Sequence, residues 1–461
     1  MAVYDIVIIG GGPSGYHAAI KAAQLGGKVA LVEKGPMGGT CLNTGCIPAK
    51  TYLKNAEILE EVSKSENRGI VFKDPNVSID MEKLVQYKND VVMTLTNGVV
   101  GLLKSNNVDI YKGIGKLTKD RKVSIDDQEI IKGEKIILAG GSKVANIGIN
   151  GIENPLVLTS DNIFNIKEIP KNLLIIGGGV IGVELASAFK SFGSEVIIVE
   201  MMDRIVPNMD REISEFLKES LEEKGIKIIT STKIEEIKEE NSKLIVSIYG
   251  QDNLTVDNAL LSIGRAPDLR AIGEMDFQMV NGRIKVDEYM ETSQSGIYAP
   301  GDINGIKMLA HAASKMGEVA AKNALGHREK INFNNIPHAI YTIPEVGAVG
   351  LTEEKAKEKY NILVGKFPFV GNGRALASGQ TKGFVKVIAD KKYGEILGVH
   401  IVGIGAAELA NEVAVLMEME TTIYEAGNIV HGHPSYGEAL IEAINDCLGN
   451  AIHLPKLENI Q

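Results

Sequence analysis

Apolar positions along the chain fall into two kinds of run. From Tyr4 to Ile9, Val29 to Val32, Leu173 to Ile176 and Glu195 to Val199 the residues are almost all apolar. Such short runs predict buried strands. Lys243 to Ile248 instead alternates polar with apolar residues, as a strand with one wet face does, and predicts an antiparallel meander. Between the first two buried strands stand Gly10-Gly11-Gly12-Pro13-Ser14-Gly15 and an alanine-rich helical stretch, Tyr16 to Leu25. From His338 onward the pattern turns to strands, at 384–389 and 396–401, followed by helices near 405–419 and 437–448.

The glycines give the first unit a mechanical reading. Gly10 makes a tight turn, Gly12 lets the backbone approach a pyrophosphate, and Gly15 lets the helix pack on the strand. Phosphates then face the helix N-terminus, and Glu33, closing the second strand, can accept from ribose hydroxyls. The unit returns as Gly177-Gly178-Gly179-Val180-Ile181-Gly182, with Gly177, Gly179 and Gly182 in the same roles and Glu200 at the end. The interval is 23 residues in both copies. Equal internal spacing implies two dinucleotides, and in a redox enzyme the natural pair is FAD first and a nicotinamide second. An acid at Glu200 favours the free 2′-hydroxyl of NAD over the 2′-phosphate of NADP. Met201 and Met202 add no positive charge after it, and Arg204 is the nearest cation.

At 461 residues the chain is too long for one core and should hold roughly three domains. A net charge of −10 argues against nucleic acid or an anionic membrane as the main partner. No apolar run is long enough to span a bilayer, and Met1-Ala2-Val3-Tyr4-Asp5 lacks the basic start of a signal peptide, so a cytoplasmic protein is expected.

Two of the three cysteines lie in Gly38-Gly39-Thr40-Cys41-Leu42-Asn43-Thr44-Gly45-Cys46-Ile47-Pro48-Ala49-Lys50. As a structural crosslink the pair would close a loop too short to stabilise the fold much. In an unbroken helix their Cα atoms would be about 8.7 Å apart, beyond disulfide reach. A bonded pair therefore requires a bend, which Gly45 and Pro48 allow. A close pair beside a cofactor suits cycling between dithiol and disulfide.

This stretch resembles the redox-active signature of the pyridine nucleotide–disulfide oxidoreductases, most of all the members that oxidise dihydrolipoamide, and the resemblance covers essentially the whole chain. It implies an α/β fold with two Rossmann-like dinucleotide-binding domains and an α+β dimerisation domain. The expected boundaries are 1–143 and 265–336 for a discontinuous FAD domain, 144–264 for the NAD domain and 337–461 for the dimerisation domain. Cys41 and Cys46 would be the redox pair, and Glu184, which position alone would make a solvated or capping acid, would pair with Lys50 near the flavin. Thr292 to Asp302 resembles the second FAD motif, with Asp302 on a ribityl hydroxyl and Pro300 where the family more usually has an apolar residue. Gly115, Ser142, Leu309 and Ala310 would join Gly10, Gly12, Gly15, Glu33 and Lys50 around FAD. Gly264 and Glu184 would join the second glycine unit around NAD. His311 reads as structural.

In His431-Gly432-His433-Pro434-Ser435-Tyr436-Gly437-Glu438 the residues alone allow a metal pair or a Ser435–Glu438 helix capping box. No further ligand cluster is evident, and no metal is expected. The resemblance makes His433 the acid/base, oriented by Glu438 and presented to the other subunit of a homodimer. Ser435 stands where threonine is usual and Ala49 where serine is usual. Cys447, on the following helix, reads as a small buried hydrophobe.

The implied activity is oxidation of dihydrolipoamide to lipoamide with reduction of NAD. The lipoyl group would come from a partner protein of a 2-oxoacid dehydrogenase complex or the glycine cleavage system. The rivals are glutathione reductase, which should show basic residues where Glu200-Met201-Met202 stands, and a flavin transhydrogenase or NADH oxidase, which needs no such cysteine pair with His433. Relatives with a second redox pair near the C-terminus do not match a chain ending Asn459-Ile460-Gln461 with Cys447 alone nearby.

Overall fold

The computed structural model describes residues 1–73 and 76–455, so the C-terminal Asn459-Ile460-Gln461 lies outside the described residues. Strand Val3–Ile9 is central to the first sheet, with parallel Val29–Glu33 on one side and Glu129–Leu138 on the other. Asp109–Lys112 extends one edge, and Ile297–Tyr298 returns from far along the chain to pair with Glu129–Leu138. Helices Pro13–Gln24 and Ala310–Ala324 pack together against this sheet. Burial on both faces is why these strands read as unbroken apolar runs.

The second sheet is also parallel, in the order Lys227–Ile229, Glu195–Val199, Asn172–Ile176, Asn258–Leu261, Val157–Thr159. The alternating segment forms strand Lys243–Ile248, the middle of a three-stranded meander with Ile234–Glu240 and Leu254–Val256. The chain passes between the two sheets along strands Ser142–Val144 and Arg265–Pro267, which pair antiparallel.

A third, antiparallel sheet runs His338–Ile340, Val346–Gly350, Ile396–Val402, Phe384–Asp390, Ile362–Pro368. Helices Ala406–Glu418 and Gly437–Asp446 pack into its core. Cys447 falls one residue past the second helix and is 8% exposed. Burial pushes its thiol up to about 12.

One contact between the halves positions the chemistry. Helix Cys46–Ser63, which follows the first nucleotide unit, packs on helix Val180–Ser191 of the second. Tyr52 is fully buried there, its ring 5.2 Å from Phe164 and 5.9 Å from Phe192. At the far end Glu60 accepts from Ser191 Oγ (3.0 Å) and Lys224 Nζ (2.5 Å). The two helices are thereby held side by side along their length. Among the described residues no helix is long and apolar enough to cross a membrane.

Candidate active site

Both glycine turns fold alike. Gly10 (φ 110°) and Gly177 (φ 103°) occupy the left-handed region, where a side chain is strained. A Cβ on Gly15 would overlap the Gly10 carbonyl and one on Gly182 the Gly177 carbonyl, so each helix meets its strand through glycine. Glu33 accepts from the N–H groups of Gly11 (2.6 Å) and Gly35 (2.8 Å). Glu200 repeats the arrangement with Gly178 (2.6 Å) and Met202 (2.8 Å). Arg204 does not turn to Glu200; its guanidinium reaches the Pro207 carbonyl and Glu354, each at 3.3 Å.

The helices begin at Gly12 and Gly179 with no side-chain cap. Both caps line one cleft of about 3060 Å³ that joins the two nucleotide units. A Cβ at Gly12 would meet only the Gly39 Cα, at 3.8 Å, and one at Gly179 only the Ser262 carbonyl, at 4.0 Å. Free first-turn N–H groups behind so little side chain fit the phosphates of two dinucleotides. Gly10, Glu33, Gly115, Gly177, Glu200 and Gly264 also line the cleft, while Gly15 and Gly182 stand behind it in the helix–strand contacts.

The cysteine stretch is two helices with a break. Helix Gly39–Asn43 holds Cys41, Thr44 and Gly45 interrupt, and the next helix starts at Cys46. Gly45 suits the break because a Cβ there would press on the Thr40 carbonyl at 2.9 Å. Both cysteines are thiols, hydrogen-bonded to each other, and both line the cleft. They ionise unequally. The hydrogen bond from Cys41, aided by the Lys50 charge against the cost of burial, brings Cys46 down to about 7. The same hydrogen bond, with burial, pushes the Cys41 thiol up.

Lys50, four residues into that helix, donates to both carboxylate oxygens of Glu184 at 3.0 Å. Glu184 is 3% exposed and also accepts from the Tyr341 backbone N–H at 2.9 Å. This is a buried, paired acid and not a solvated one. Lys50 Nζ lies 4.5 Å from the centre of the Tyr341 ring, so a residue of the third sheet's first turn completes the surroundings of this ion pair.

Across the cleft, Ser142 Oγ donates to Asp302 Oδ2 at 2.6 Å, and burial pushes the Asp302 carboxyl up. Arg265 holds this corner through Ser142 Oγ (2.8 Å), the Ser142 carbonyl (2.9 Å) and Thr40 Oγ1 (3.3 Å), next to Cys41. Leu309 caps helix Ala310–Ala324, and Leu309 and Ala310 line the cleft. His311 Nε2 lies 2.8 Å from the Pro337 carbonyl.

His433 and Glu438 stand apart from this cleft and do not line it. His433 Nδ1 is 2.8 Å from Glu438 Oε1, and the histidine side chain is 78% exposed. The capping-box expectation is corrected here. The helix cap is Tyr436, with no side-chain cap bond; Glu438 Oε2 accepts from the Ser435 N–H at 2.7 Å, but the Ser435 hydroxyl does not answer. Ser435 lies two residues before the helix starts, one too early for a capping box. His431 is engaged separately, with Glu412 at 2.6 Å. Among the described residues no group of three or more His, Cys, Asp or Glu could hold a metal ion.

Two residues gained a place that local sequence did not give them. They are Arg265, at the Ser142–Asp302 corner, and Tyr341, at the Lys50–Glu184 pair. Their partners lie 123 and 157 positions away, a separation that carries no periodic signal.

Comparison with known proteins agrees with this geometry. The family described as pyridine nucleotide-disulphide oxidoreductase matches residues 4–317, and its dimerisation domain matches residues 336–444. A dihydrolipoyl dehydrogenase of Bacillus subtilis is 37% identical over 458 residues, covering 97% of this chain and 99% of the relative. A mitochondrial dihydrolipoyl dehydrogenase of Arabidopsis thaliana is 40% identical over 470 residues, covering 98% and 91%. Among solved structures, the HOCl-induced flavoprotein disulfide reductase RclA of Escherichia coli has a TM-score of 0.85 at 29% identity, covering 96% of this chain and 99% of its own. LpdA of Mycobacterium tuberculosis has a TM-score of 0.89 at 24% identity, over 96% and 99%, a likeness of fold alone. With both family segments matched along a cleft that holds two glycine turns and a cysteine pair, the chain belongs to the pyridine nucleotide-disulphide oxidoreductases.

Proposed function

We propose that the protein oxidises dihydrolipoamide, carried on a partner protein, to lipoamide and reduces NAD to NADH. The observation that carries this reading is the thiol pair at a helix start, lying in one cleft with two uncapped glycine turns. We assign FAD to residues 1–143 and 265–336, NAD to 144–264, and subunit association to 337–461. Gly10, Gly12, Gly15, Glu33, Gly115, Ser142, Asp302, Leu309 and Ala310 would hold FAD, and Gly177, Gly179, Gly182, Glu200 and Gly264 would hold NAD. Bound FAD supplies the two-electron carrier between the cysteine pair and NAD. The protein works as a cytoplasmic homodimer serving a 2-oxoacid dehydrogenase complex or the glycine cleavage system.

The chain's own residues divide the thiol chemistry. With Nδ1–H donating to Glu438, the Nε2 of His433 takes the proton of the first substrate thiol. In the oxidised protein, where Cys41 and Cys46 are joined as a disulfide, the resulting thiolate attacks Cys41 Sγ, a substrate–Cys41 disulfide forms, and the Cys41–Cys46 bond breaks. The lower-pKa thiolate is the better leaving group, so the difference between the two cysteines directs attack to Cys41 and departure to Cys46. His433 releases its proton to solvent and takes that of the second substrate thiol, whose thiolate attacks the substrate sulfur of the mixed disulfide. Lipoamide closes, and Cys41 leaves and recovers a proton from His433. The protein is left with a Cys41 thiol and a Cys46 thiolate beside Lys50. Because His433 does not line the cleft of its own cysteines, we assign it to the cleft of a second copy.

Glu200, bound to two backbone amides and, among the described residues, paired with no cation, favours NAD over NADP and this reading over glutathione reductase. The test is NADH formation from dihydrolipoamide beside NADPH oxidation with glutathione disulfide. Turnover in the first alone is expected; turnover in the second alone would return the substrate assignment to that rival.

A further inference from the structure

Five residues run straight across the third sheet. His338, Ala348, His400, Lys386 and Lys366 stand opposite one another on consecutive strands. Directly paired residues share a face, so four basic side chains and one alanine form a row, one strand spacing (about 4.8 Å) apart.

Acids cover one end of the row. Lys386, 3% exposed at its side chain, meets Asp210 (2.9 Å), Glu353 (2.6 Å) and Glu212 (3.2 Å), and Lys366 pairs with Glu212. At the other end, among the described residues, no acid ion-pairs with His338 or His400. His338 and His400 line the cleft together with Lys307 and Lys355. The acids of the adjoining helix Glu353–Lys357 are committed elsewhere: Glu353 to Lys386 and Lys357, Glu354 to Arg204 and Arg211. Among the described residues no acid ion-pairs with Lys307 or Lys355.

Of the charged groups near His338, Lys307, His311, His400 and Lys355 act on it most, all of them basic, while the carboxylates of Glu395, Glu418 and Glu420 line the same cleft. Burial first, then these basic neighbours, hold its imidazole down to about 4. His400 is 2% exposed; its Nε2 bonds the Leu351 carbonyl and its Nδ1 has no partner. Ala348, between the two histidines, leaves the middle of this end short of side chain. A wall with two uncompensated ammonium groups, a neutral imidazole and a bare buried acceptor is complementary to an anion that also carries a hydroxyl.

We propose that Lys307, Lys355 and His338 form a binding subsite for a small, doubly charged oxyanion of the phosphate class, next to Leu309 and Ala310 in the same cleft. It lies off both glycine turns and goes beyond the dithiol chemistry.

The experiment is calorimetric titration of the FAD-loaded protein with sodium phosphate against sodium chloride of equal ionic strength. Saturable binding at one site per chain is expected, weakened about tenfold or more by Lys307→Gln and by Lys355→Gln, since each removes a charge-assisted contact. Lys315→Gln, whose lysine is engaged by Glu329, should leave binding unchanged. Phosphate should also raise the titration midpoint of the His338 ring followed by NMR. No binding beyond chloride would overturn the proposal. So would binding that is equal in Lys307→Gln, Lys355→Gln and the parent, as for an ion held at the Gly177 turn.

Discussion

Cys46, Lys50 and Glu184 are built in the opposite way to His433 and Glu438. The first three sit where two long helices from different nucleotide units pack together. Glu184 is 3% exposed and every oxygen of its carboxylate is engaged. The second pair joins a short turn, which carries His433, to the first turn of a helix, which carries Glu438, with the histidine 78% exposed and held by one bond. One group has its contacts complete within a single chain; the other, on the function proposed above, is finished by the copy that docks on it. A buried centre can tune a thiol because low dielectric strengthens the Lys50 field. An exposed imidazole can be carried to a separate site and still deliver a proton.

The largest effect expected from breaking the buried side is on Cys46. Cys46→Ser removes the leaving thiolate, so dihydrolipoamide turnover should fall to background while FAD, which we assign to the Gly10 turn and Asp302, should stay bound. Turnover assays on the yellow protein read both at once; full activity in this variant would end the mechanism.

Breaking the exposed side should cost less, about 10²–10⁴-fold in kcat for His433→Gln, the usual worth of a positioned acid/base. Mixing sharpens the comparison further. In a heterodimer of Cys46→Ser and His433→Gln subunits, a site shared between subunits leaves one of two clefts with both groups intact. Random reassociation of the two inactive proteins should then recover about a quarter of parental activity. No recovery, with heterodimers present by mass spectrometry, would place His433 and Cys46 of one chain in the same site.

What the sequence told and what it withheld follow the same division. Strands 3–9, 172–176 and 195–199 and both glycine turns depend on spacing within some thirty residues, and apolar runs with fixed glycine intervals display them. The break between Cys41 and Cys46 was legible too, because helix geometry forbids the pair otherwise. Lys50 with Glu184 was reached only through the family resemblance. Those residues are 134 apart and meet because Tyr52, Phe189 and Phe192 lock two helices together. The contacts of Tyr341 with Glu184 and Lys50 and the row from His338 to Lys366 could not be read, since they depend on packing between distant segments and on cross-strand register set by folding. The capping box failed for a local reason: the cap position falls to Tyr436, so Ser435 lies one residue too early for its hydroxyl to cap the helix.

A smaller effect probes how the buried centre tunes its thiol. With Cys46 lowered to about 7 and Cys41 raised, the reduced protein should show a single thiolate per chain, appearing as pH rises through about 7. Lys50→Met removes a cation one helical turn away and should move that midpoint up by about one to three units. Thiolate ultraviolet absorbance against pH, read beside Cys46→Ser as the blank, measures the shift. A midpoint unmoved by Lys50→Met would leave the Cys41 hydrogen bond as the whole cause.

The smallest effect belongs to Glu438, and it separates orientation from charge on the exposed side. Glu438→Gln keeps an oxygen for the Ser435 N–H or for His433 Nδ1 but loses the negative charge facing the imidazole. A charge-assisted bond exceeds a neutral one by roughly 1.4 kcal/mol, so kcat should fall about tenfold, less than for His433→Gln. The pair is exposed, so unfolding free energy should change by no more than about 0.5 kcal/mol. Glu438→Ala removes both oxygens and frees the ring, and its kcat should drop towards that of His433→Gln while KM for dihydrolipoamide holds. Equal losses in the Gln and Ala variants would make charge the whole contribution of Glu438, and a rise in KM would make it a substrate contact instead of an orienting one.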